Sequence, residues 1–418
     1  MTRFVPARRQ LEPVRLKFAV ASAVLLLAAC GGGGDDGAVA YPHANEPIGT
    51  VRQIYDGALK PDMAVNTFRN IDRLFPTRTI APGPNPYPMP KAANQLEQVR
   101  FTASGRNYDL YDYLAVNRVS GLLILKNGQI VHETYQYGNT EKTRWMSMSV
   151  AKSITATLIG AAVKDGYIAS INDPVTKYVP TLTGSAYDGV SVRQIMMMTS
   201  GVRWNETYTD PASDRRALLE AQIAQQPGSA MKLMGSLPRV AMPGAVNNYS
   251  TGETQVAGEI VIGATKRPLA QYLSEKIWSK FSMESEANWW LDSPNGVEIG
   301  GSGVSATLRD YGRFGLFTMN DGVINGQSIL PAGWVDEAGS PKTLTTGAAL
   351  NYGYFWWIAG GTSRADGAFF ATGIHGQNIF INRKEKVVIV TWGAQSKPSG
   401  QGVISNTAFF DAVVEALK

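Results

Sequence analysis

Two apolar runs early in the chain flank a short polar pair. Residues 122–125 and 130–135 are rich in Leu, Ile and Val, and the Asn-Gly pair between them is typical of a type I′ turn. This combination predicts a β-hairpin. Downstream, apolar residues recur at helical spacing between positions 154 and 163 and stop before Gly166, which predicts a buried helix beginning near residue 149.

The late part of the chain carries the other strand signals. Three apolar runs predict strands at residues 369–371, 378–381 and 387–392. A final apolar-periodic segment predicts a helix at residues 407–417. Between the early and late strands, residues 191–201 predict a short helix whose methionines fill the core. Strands at both ends with helices between them predict an α+β fold, in which one sheet is built from both ends of the chain.

These patterns divide the chain into four parts. Residues 45–100 show scattered Pro and Gly with little periodicity, so we expect them to wrap over the surface. The first two predicted parts are a signal peptide at residues 1–29 and a tether with an N-terminal extension at residues 30–100. The other two are a sheet domain made of residues 101–146 and 295–418, and a mainly helical domain at residues 147–294.

The N-terminus predicts export. Basic residues precede an apolar run at positions 18–29, which is too short to span a bilayer as a helix. The run ends in Leu-Ala-Ala before Cys30, and this sequence resembles a bacterial lipobox. The resemblance implies cleavage before Cys30, lipid attachment to its sulfur, and a place at the periplasmic face of the outer membrane. An ordinary signal peptide with an incidental cysteine is the alternative.

Composition excludes several classes of function. Of 418 residues 44% are hydrophobic, which indicates a sizeable core, and the net charge of +5 lies partly in the N-terminal segment, so we expect no nucleic-acid partner. Cys30 is the only cysteine, so neither a disulfide nor a cysteine-ligated metal is expected. Three histidines and no His-Glu-x-x-His motif argue against a metalloenzyme. We expect no cofactor.

The chemistry of the chain centres on Ser149 and Lys152. In a helix, residues three apart are neighbours, so the Lys152 amine is expected to come within reach of the Ser149 hydroxyl. A serine in the first helical turn feels the positive end of the helix dipole and has a free backbone N–H. The segment therefore offers a nucleophile, a general base and half of an oxyanion hole.

Ser229 and Lys232 have the same spacing. The Ser-x-x-Lys pattern is short enough to occur by chance in a chain of this length. Ser229 follows Pro227-Gly228 and is soon interrupted by Gly235, which predicts a loop or short turn. Context therefore favours the first pair.

Two further segments offer partners for Ser149. Tyr249 lies in a Gly-containing turn before a predicted helix, where it could carry a proton for the leaving group or simply pack. Residues 371–376 place two glycines at a strand edge, where a backbone N–H can face a ligand.

Together, Ser149-x-x-Lys152, Tyr249-Ser250-Thr251 and Thr372-Gly373 resemble the penicillin-recognising serine hydrolase superfamily. The pattern is similar to class C β-lactamases, family VIII carboxylesterases and, most closely, 6-aminohexanoate-dimer (nylon-oligomer) hydrolases. The resemblance implies a β-lactamase/transpeptidase-like fold, with an antiparallel sheet flanked by helices and a mainly helical insertion domain.

The resemblance also implies roles for individual residues. Ser149 would be the acylated nucleophile, Lys152 and Tyr249 would share the acid and base work, and the N–H groups of Ser149 and Ile374 would form the oxyanion hole. Tyr208 matches a substrate-gripping loop tyrosine of the nylon-oligomer hydrolases. The remaining substrate-binding candidates are Thr372, Gly373 and His375; for His375 a structural role is the alternative.

Two departures from the β-lactamase motifs bear on the substrate. Thr251 stands where Tyr-x-Asn has its asparagine, and a Thr hydroxyl lacks the reach of an amide. Ala371 replaces the lysine of Lys-Thr-Gly, which the resemblance implies would hold a β-lactam carboxylate. We therefore expect small amides or esters as substrates.

Three other functions remain open. The first is a class C-type β-lactamase or D,D-peptidase, and the second is a non-catalytic ligand-binding lipoprotein of the same fold. The third is a serine mechanism with His375 or His132 as the base. The chain has no Gly-x-Ser-x-Gly motif, which argues against an α/β-hydrolase.

Overall fold

A computed structural model describes residues 41–400 and 402–418. Cys30, the signal peptide at 1–29 and the start of the predicted tether lie outside the described residues.

The strands and helices alternate irregularly along the chain. The strands are β1 Thr77–Ile80, β2 Arg100–Ala103, β3 Arg106–Asp109, β4 Val119–Lys126, β5 Gln129–Tyr135, β6 Arg144–Met146, β7 Ala287–Trp290, β8 Val304–Thr307, β9 Val323–Ile324, β10 Gln327–Ser328, β11 Lys342–Thr343, β12 Ala349–Leu350, β13 Trp357–Ile358, β14 Phe369–Gly373, β15 Gln377–Asn382 and β16 Val387–Gly393. The α-helices are α1 Val51–Asp56, α2 Pro61–Phe68, α3 Leu110–Val116, α4 Val150–Lys164, α5 Val192–Met196, α6 Asp214–Ile223, α7 Ser229–Ser236, α8 Thr251–Thr265, α9 Leu269–Leu273, α10 Leu308–Met319, α11 Trp334–Ala338 and α12 Asn406–Ala416.

The main sheet joins the two ends of the chain. Its six antiparallel strands follow the order β13-β14-β15-β16-β4-β5, so the last strand of the chain pairs with the early hairpin. The hairpin turns at Asn127 and Gly128, whose φ values of 52° and 77° match a type I′ turn. The predicted strands, the α+β class and the sheet built from both ends are therefore confirmed.

Both faces of this sheet are buried, which explains why its strands are continuous apolar runs. Successive side chains point to opposite faces, so Leu123 and Leu125 join the larger core with α4 and α10. Leu122 and Ile124 join a second core closed by α3 and α12. The sheet is therefore packed on both faces.

Residues 51–80 do not wrap over the surface as predicted. Ile54, Phe68 and Ile80 are fully buried in the larger core, and β1 pairs with β7 in a second antiparallel sheet of order β1-β7-β8-β6. The apolar residues of α1 and α2 were missed because both helices are short. Their burial makes this segment part of the main body.

The prediction of a loop at Ser229 is also wrong. Gly228 adopts φ 73° and precedes helix α7, which buries Ala230 and Met234. Gly235 is tolerated as the penultimate residue, and Pro238 lies beyond the helix end. Across the described residues no helix is long and apolar enough to cross a membrane.

Candidate active site

Ser149 is the residue from which helix α4 starts. It forms the N-cap with φ −67° and ψ −5°, shortly after the end of β6, and it retains partial solvent exposure. Helix α4 packs against α8 on one side and β14 on the other. The serine therefore stands where the helical part of the molecule meets the end of the main sheet.

An open cleft of about 450 Å³ lies over Ser149. Its lining comes from several widely separated regions of the sequence and includes Ser149, Tyr208, Tyr249, Trp357, Thr372, Gly373 and Ile374. Such a concave pocket, with three aromatic side chains and a few polar groups, suits a small organic substrate.

Lys152 lies beneath the floor of the cleft. Its side chain is only 1% exposed, and its Nζ donates to Thr251 Oγ1 at 2.9 Å and to the Gly301 carbonyl at 3.0 Å. Burial lowers the pKa of Lys152 to about 7, against a smaller opposing effect of the Glu206 charge. A substantial share of the amine is thus neutral at neutral pH and able to accept a proton.

Tyr249 connects the lysine to the serine. Its ring centroid lies 5.5 Å from Lys152 Nζ and stacks on Trp357 at 5.5 Å. Burial and the charge of Glu206 raise the pKa of Tyr249, while its hydrogen bond with Ser149 lowers the pKa to a lesser extent. The phenol therefore keeps its proton at neutral pH and can donate it.

Gly373, which precedes Ile374, approaches the backbone of Ser147 and Ser149 closely, at the position of the predicted oxyanion hole. A Cβ added to Gly373 would come within 2.9 Å of Ser149 N and 2.7 Å of the Ser147 carbonyl, so only glycine permits this approach. Among the described residues, the N–H groups of Ser149 and Ile374 have no backbone acceptor. Both are free to donate to a ligand.

Three of the substrate-binding candidates, Tyr208, Thr372 and Gly373, line the cleft. Tyr208 forms part of its wall and lies 6.4 Å from the Tyr55 ring, centroid to centroid. Thr372 also lines the cleft, and its hydroxyl donates to the Gln377 carbonyl at 3.3 Å. These residues therefore occupy positions from which they can contact a bound molecule.

His375 does not face the cleft, and the prediction of a substrate contact requires correction. The side chain is 2% exposed, and its two ring nitrogens lie 2.7 Å from the Gln395 carbonyl and 3.1 Å from the Ile54 carbonyl. Its backbone adopts φ 65°, which turns the ring toward Phe68 and the interior. His375 ties helix α1 to the end of β14, the structural alternative.

Two charged residues that act on Lys152, Glu206 and Arg215, are not predicted from the sequence. Glu206 receives hydrogen bonds from Thr251, whose hydroxyl also accepts from Lys152, so this short side chain is sufficient where an asparagine was expected. Arg215 is 4% exposed, lies 4.2 Å from the Tyr55 ring centroid and lowers the pKa of Lys152. Their partners are distant in sequence, so spacing alone could not reveal them.

Comparison with known proteins gives relatives over most of this chain. A family model described as Beta-lactamase matches residues 115–412. A 6-aminohexanoate-dimer hydrolase from Paenarthrobacter ureafaciens is 31% identical over 304 residues, which are 69% of this chain and 76% of that protein. A beta-lactamase from Yersinia enterocolitica is 26% identical and covers 42% of this chain and 46% of its own length.

Solved structures share the fold. A Bacillus anthracis protein assigned as a 6-aminohexanoate-dimer hydrolase has a TM-score of 0.74 at 24% identity, covering 84% of this chain and 92% of its own. A family VIII carboxylesterase has a TM-score of 0.53 at 15% identity, covering 71% of this chain and 91% of its own. At these identities the likeness concerns the fold alone.

Proposed function

Because the chain belongs to the beta-lactamase family of serine hydrolases, we propose that it cleaves small amides or esters through an acyl-enzyme on Ser149. The observation that carries this proposal is the convergence of Ser149, Tyr249 and a buried Lys152 at one cleft. A buried amine with a pKa near 7, a protonated phenol and two free amides are the parts that acyl transfer needs.

The protonation states of these groups support the following proposed reaction. Ser149 Oγ attacks the substrate carbonyl carbon while its proton passes to neutral Lys152, and the amides of Ser149 and Ile374 hold the developing oxyanion. Tyr249 gives its proton to the leaving amine or alcohol and is reprotonated from Lys152. Water then attacks the acyl carbon, which releases a carboxylic acid and restores Ser149.

The residues that line the cleft support the proposed substrate class. Ala371 points into the interior at 1% exposure, whereas Thr372 faces the cleft, so this part of the wall holds a hydroxyl and not the lysine of Lys-Thr-Gly. Tyr208, Tyr249 and Trp357 supply aromatic surface for an apolar chain. A linear relative of the 6-aminohexanoate dimer, or a simple carboxylic ester, fits this wall better than a β-lactam.

The test compares three substrates on the purified full chain. We expect turnover of p-nitrophenyl butyrate or the linear 6-aminohexanoate dimer, with little turnover of the β-lactam nitrocefin. Fast nitrocefin turnover would favour the β-lactamase alternative, which a relative of that name supports. No turnover and no covalent adduct with any of the three would contradict the hydrolase proposal.

We also propose that the protein is anchored to the cell envelope by a lipid on Cys30. The proposal rests on the Leu-Ala-Ala-Cys sequence after the basic and apolar segments. Replacing Cys30→Ala should move the protein from the membrane fraction to the soluble fraction of the periplasm. Unchanged membrane retention would count against the anchor.

A further inference from the structure

Glu206 has an unusually complete set of hydrogen bonds for a half-buried loop carboxylate. Its Oε2 accepts from the backbone N–H of Thr251 at 2.9 Å and from the Trp204 indole N–H, and its Oε1 accepts from the Thr251 hydroxyl. These three donors fix the carboxylate at the start of α8, next to the floor of the cleft.

The hydroxyl of Thr251 connects Glu206 to Lys152 by hydrogen bonds. An ionised carboxylate can only accept, so the single hydroxyl proton of Thr251 is directed at Glu206. The oxygen of Thr251 is then free to accept from Lys152 Nζ, at 2.9 Å. The direction of both hydrogen bonds is therefore set by the charge on Glu206.

The other hydrogen bond of Lys152 determines whether its amine can accept a proton. A neutral amine has two N–H bonds and one lone pair. One N–H is used by Thr251 and the other by the Gly301 carbonyl at 3.0 Å, which leaves the lone pair unoccupied. In the mechanism proposed above, this lone pair accepts the proton of Ser149.

We propose that Glu206 is a positioning residue which, through Thr251, holds neutral Lys152 with its lone pair free for the proton of Ser149. This inference rests on the hydrolytic function proposed above. Glu206 touches neither the substrate nor the reacting atoms; it acts by orienting the base.

When Glu206 is neutralised, the loss of its charge and the loss of the Lys152 orientation predict opposite effects on activity. The charged groups that act on Lys152 are Glu206, which raises its pKa, and Arg215, which lowers it. Tyr249 faces it as a neutral ring. Losing the Glu206 charge therefore lowers the pKa of Lys152 and leaves more neutral amine at pH 8, so a fall in activity there reports lost orientation.

A Glu206→Gln substitution reverses the hydrogen-bond direction. The glutamine oxygen stays with the two N–H donors, and its amide nitrogen then faces the Thr251 hydroxyl and donates to it. The hydroxyl proton turns toward Lys152 and occupies the lone pair. Thr251→Val removes the connection entirely, whereas Thr251→Ser keeps it.

The experiment measures kcat and KM for p-nitrophenyl butyrate between pH 6 and pH 9 in the full chain. At pH 8 we expect kcat to fall about 10- to 100-fold in Glu206→Gln and Thr251→Val, with KM nearly unchanged. Thr251→Ser should retain most of kcat, and the exposed control Glu220→Gln should equal the parent. The acid limb of Glu206→Gln should move to lower pH.

The outcomes separate this inference from the proposed function. Parent-like kcat at pH 8 in both Glu206→Gln and Thr251→Val would overturn the positioning role while leaving the hydrolase intact. A ¹³Cε titration of Lys152, assigned with Lys152→Met, adds a readout that needs no turnover. If the parent protein hydrolyses none of the substrates, the proposed function is contradicted. If the titration of Lys152 is then also unchanged in Glu206→Gln, the proposed coupling between Glu206 and Lys152 is contradicted as well.

Discussion

Helices α4 and α7 begin with the same four-residue pattern in different surroundings. Ser149 and Ser229 each stand at a helix N-terminus with a lysine three residues later. Lys152 is 1% exposed at the base of an aromatic cleft, whereas Lys232 is exposed to solvent. Ser229 only caps the Ala221 carbonyl, at 3.1 Å. The comparison teaches that burial of the lysine and the convergence of other segments, rather than spacing, separate the two pairs.

The largest expected effect comes from removing the two serines in turn. Ser149→Ala should lower kcat by at least about 10³-fold, because the nucleophile is lost. Ser229→Ala should remain within about twofold of the parent, as for most substitutions outside a site. Hydrolysis of p-nitrophenyl butyrate by both variants measures the contrast. Parent-like activity of Ser149→Ala would end the assignment of this serine as nucleophile.

Removing the two lysines should give the next largest difference. Lys152→Met keeps the volume of the buried side chain but deletes the base, so we expect kcat/KM to fall by about 10²–10⁴-fold. Lys232→Met changes a solvated side chain and should leave kcat/KM unchanged. Thermal unfolding of each variant checks that the fold is intact. Equal losses in the two variants would show that burial is not what distinguishes the pairs.

The pH profile tests the buried lysine without a mutation. Lys152 must be neutral to accept a proton, and burial lowers its pKa to about 7. We expect kcat/KM to fall about tenfold for each pH unit below this value. Activity should persist above it, since Tyr249 has a raised pKa and stays protonated. A profile that is flat from pH 5 to pH 8 would contradict the role of Lys152 as base.

Adding one methyl group near each Ser–Lys pair should give the smallest effects, and the two changes in the free energy of unfolding should have opposite signs. A Cβ at Gly301 would lie 2.2 Å from Thr254 Oγ1 and 2.9 Å from Lys152 Nζ, so Gly301→Ala should destabilise the fold by about 1–3 kcal/mol. A Cβ at Gly235 meets only Leu182, at 3.6 Å, so Gly235→Ala should stabilise α7 by about 0.5 kcal/mol. Denaturant unfolding measures both changes, and equal signs would contradict the packing difference.

The sequence predicted the parts of the fold that depend on local pattern. The hairpin β4–β5 and strands β14 to β16 were visible as apolar runs with a turn between the first two. Helices α1 and α2 are not predicted because they are short, and strand β1 is not predicted because its partner lies elsewhere: Ile80 pairs with Ala287, about two hundred residues away. A long-range pairing leaves no periodic signal in the segment itself.

For the candidate site, the sequence predicts the residues proposed to take part in the reaction. It does not predict the residues that hydrogen-bond to them and hold them in position. Ser149, Lys152 and Tyr249 each belong to a recognisable motif, and the structure brings them to one cleft. Glu206 belongs to no motif and becomes visible only when Thr251 meets it in space. His375 was misplaced because its side-chain direction depends on a left-handed backbone conformation that the sequence does not specify.

The most direct test of the account is to find where the acyl group is held. The full chain, mixed rapidly with p-nitrophenyl butyrate and quenched in acid, would be weighed intact and then mapped by peptide mass spectrometry. We predict one butyryl group, on the peptide that contains Ser149, and none in Ser149→Ala. A butyryl group on Ser229, or turnover in Ser149→Ala at the parent rate, would contradict the central claim.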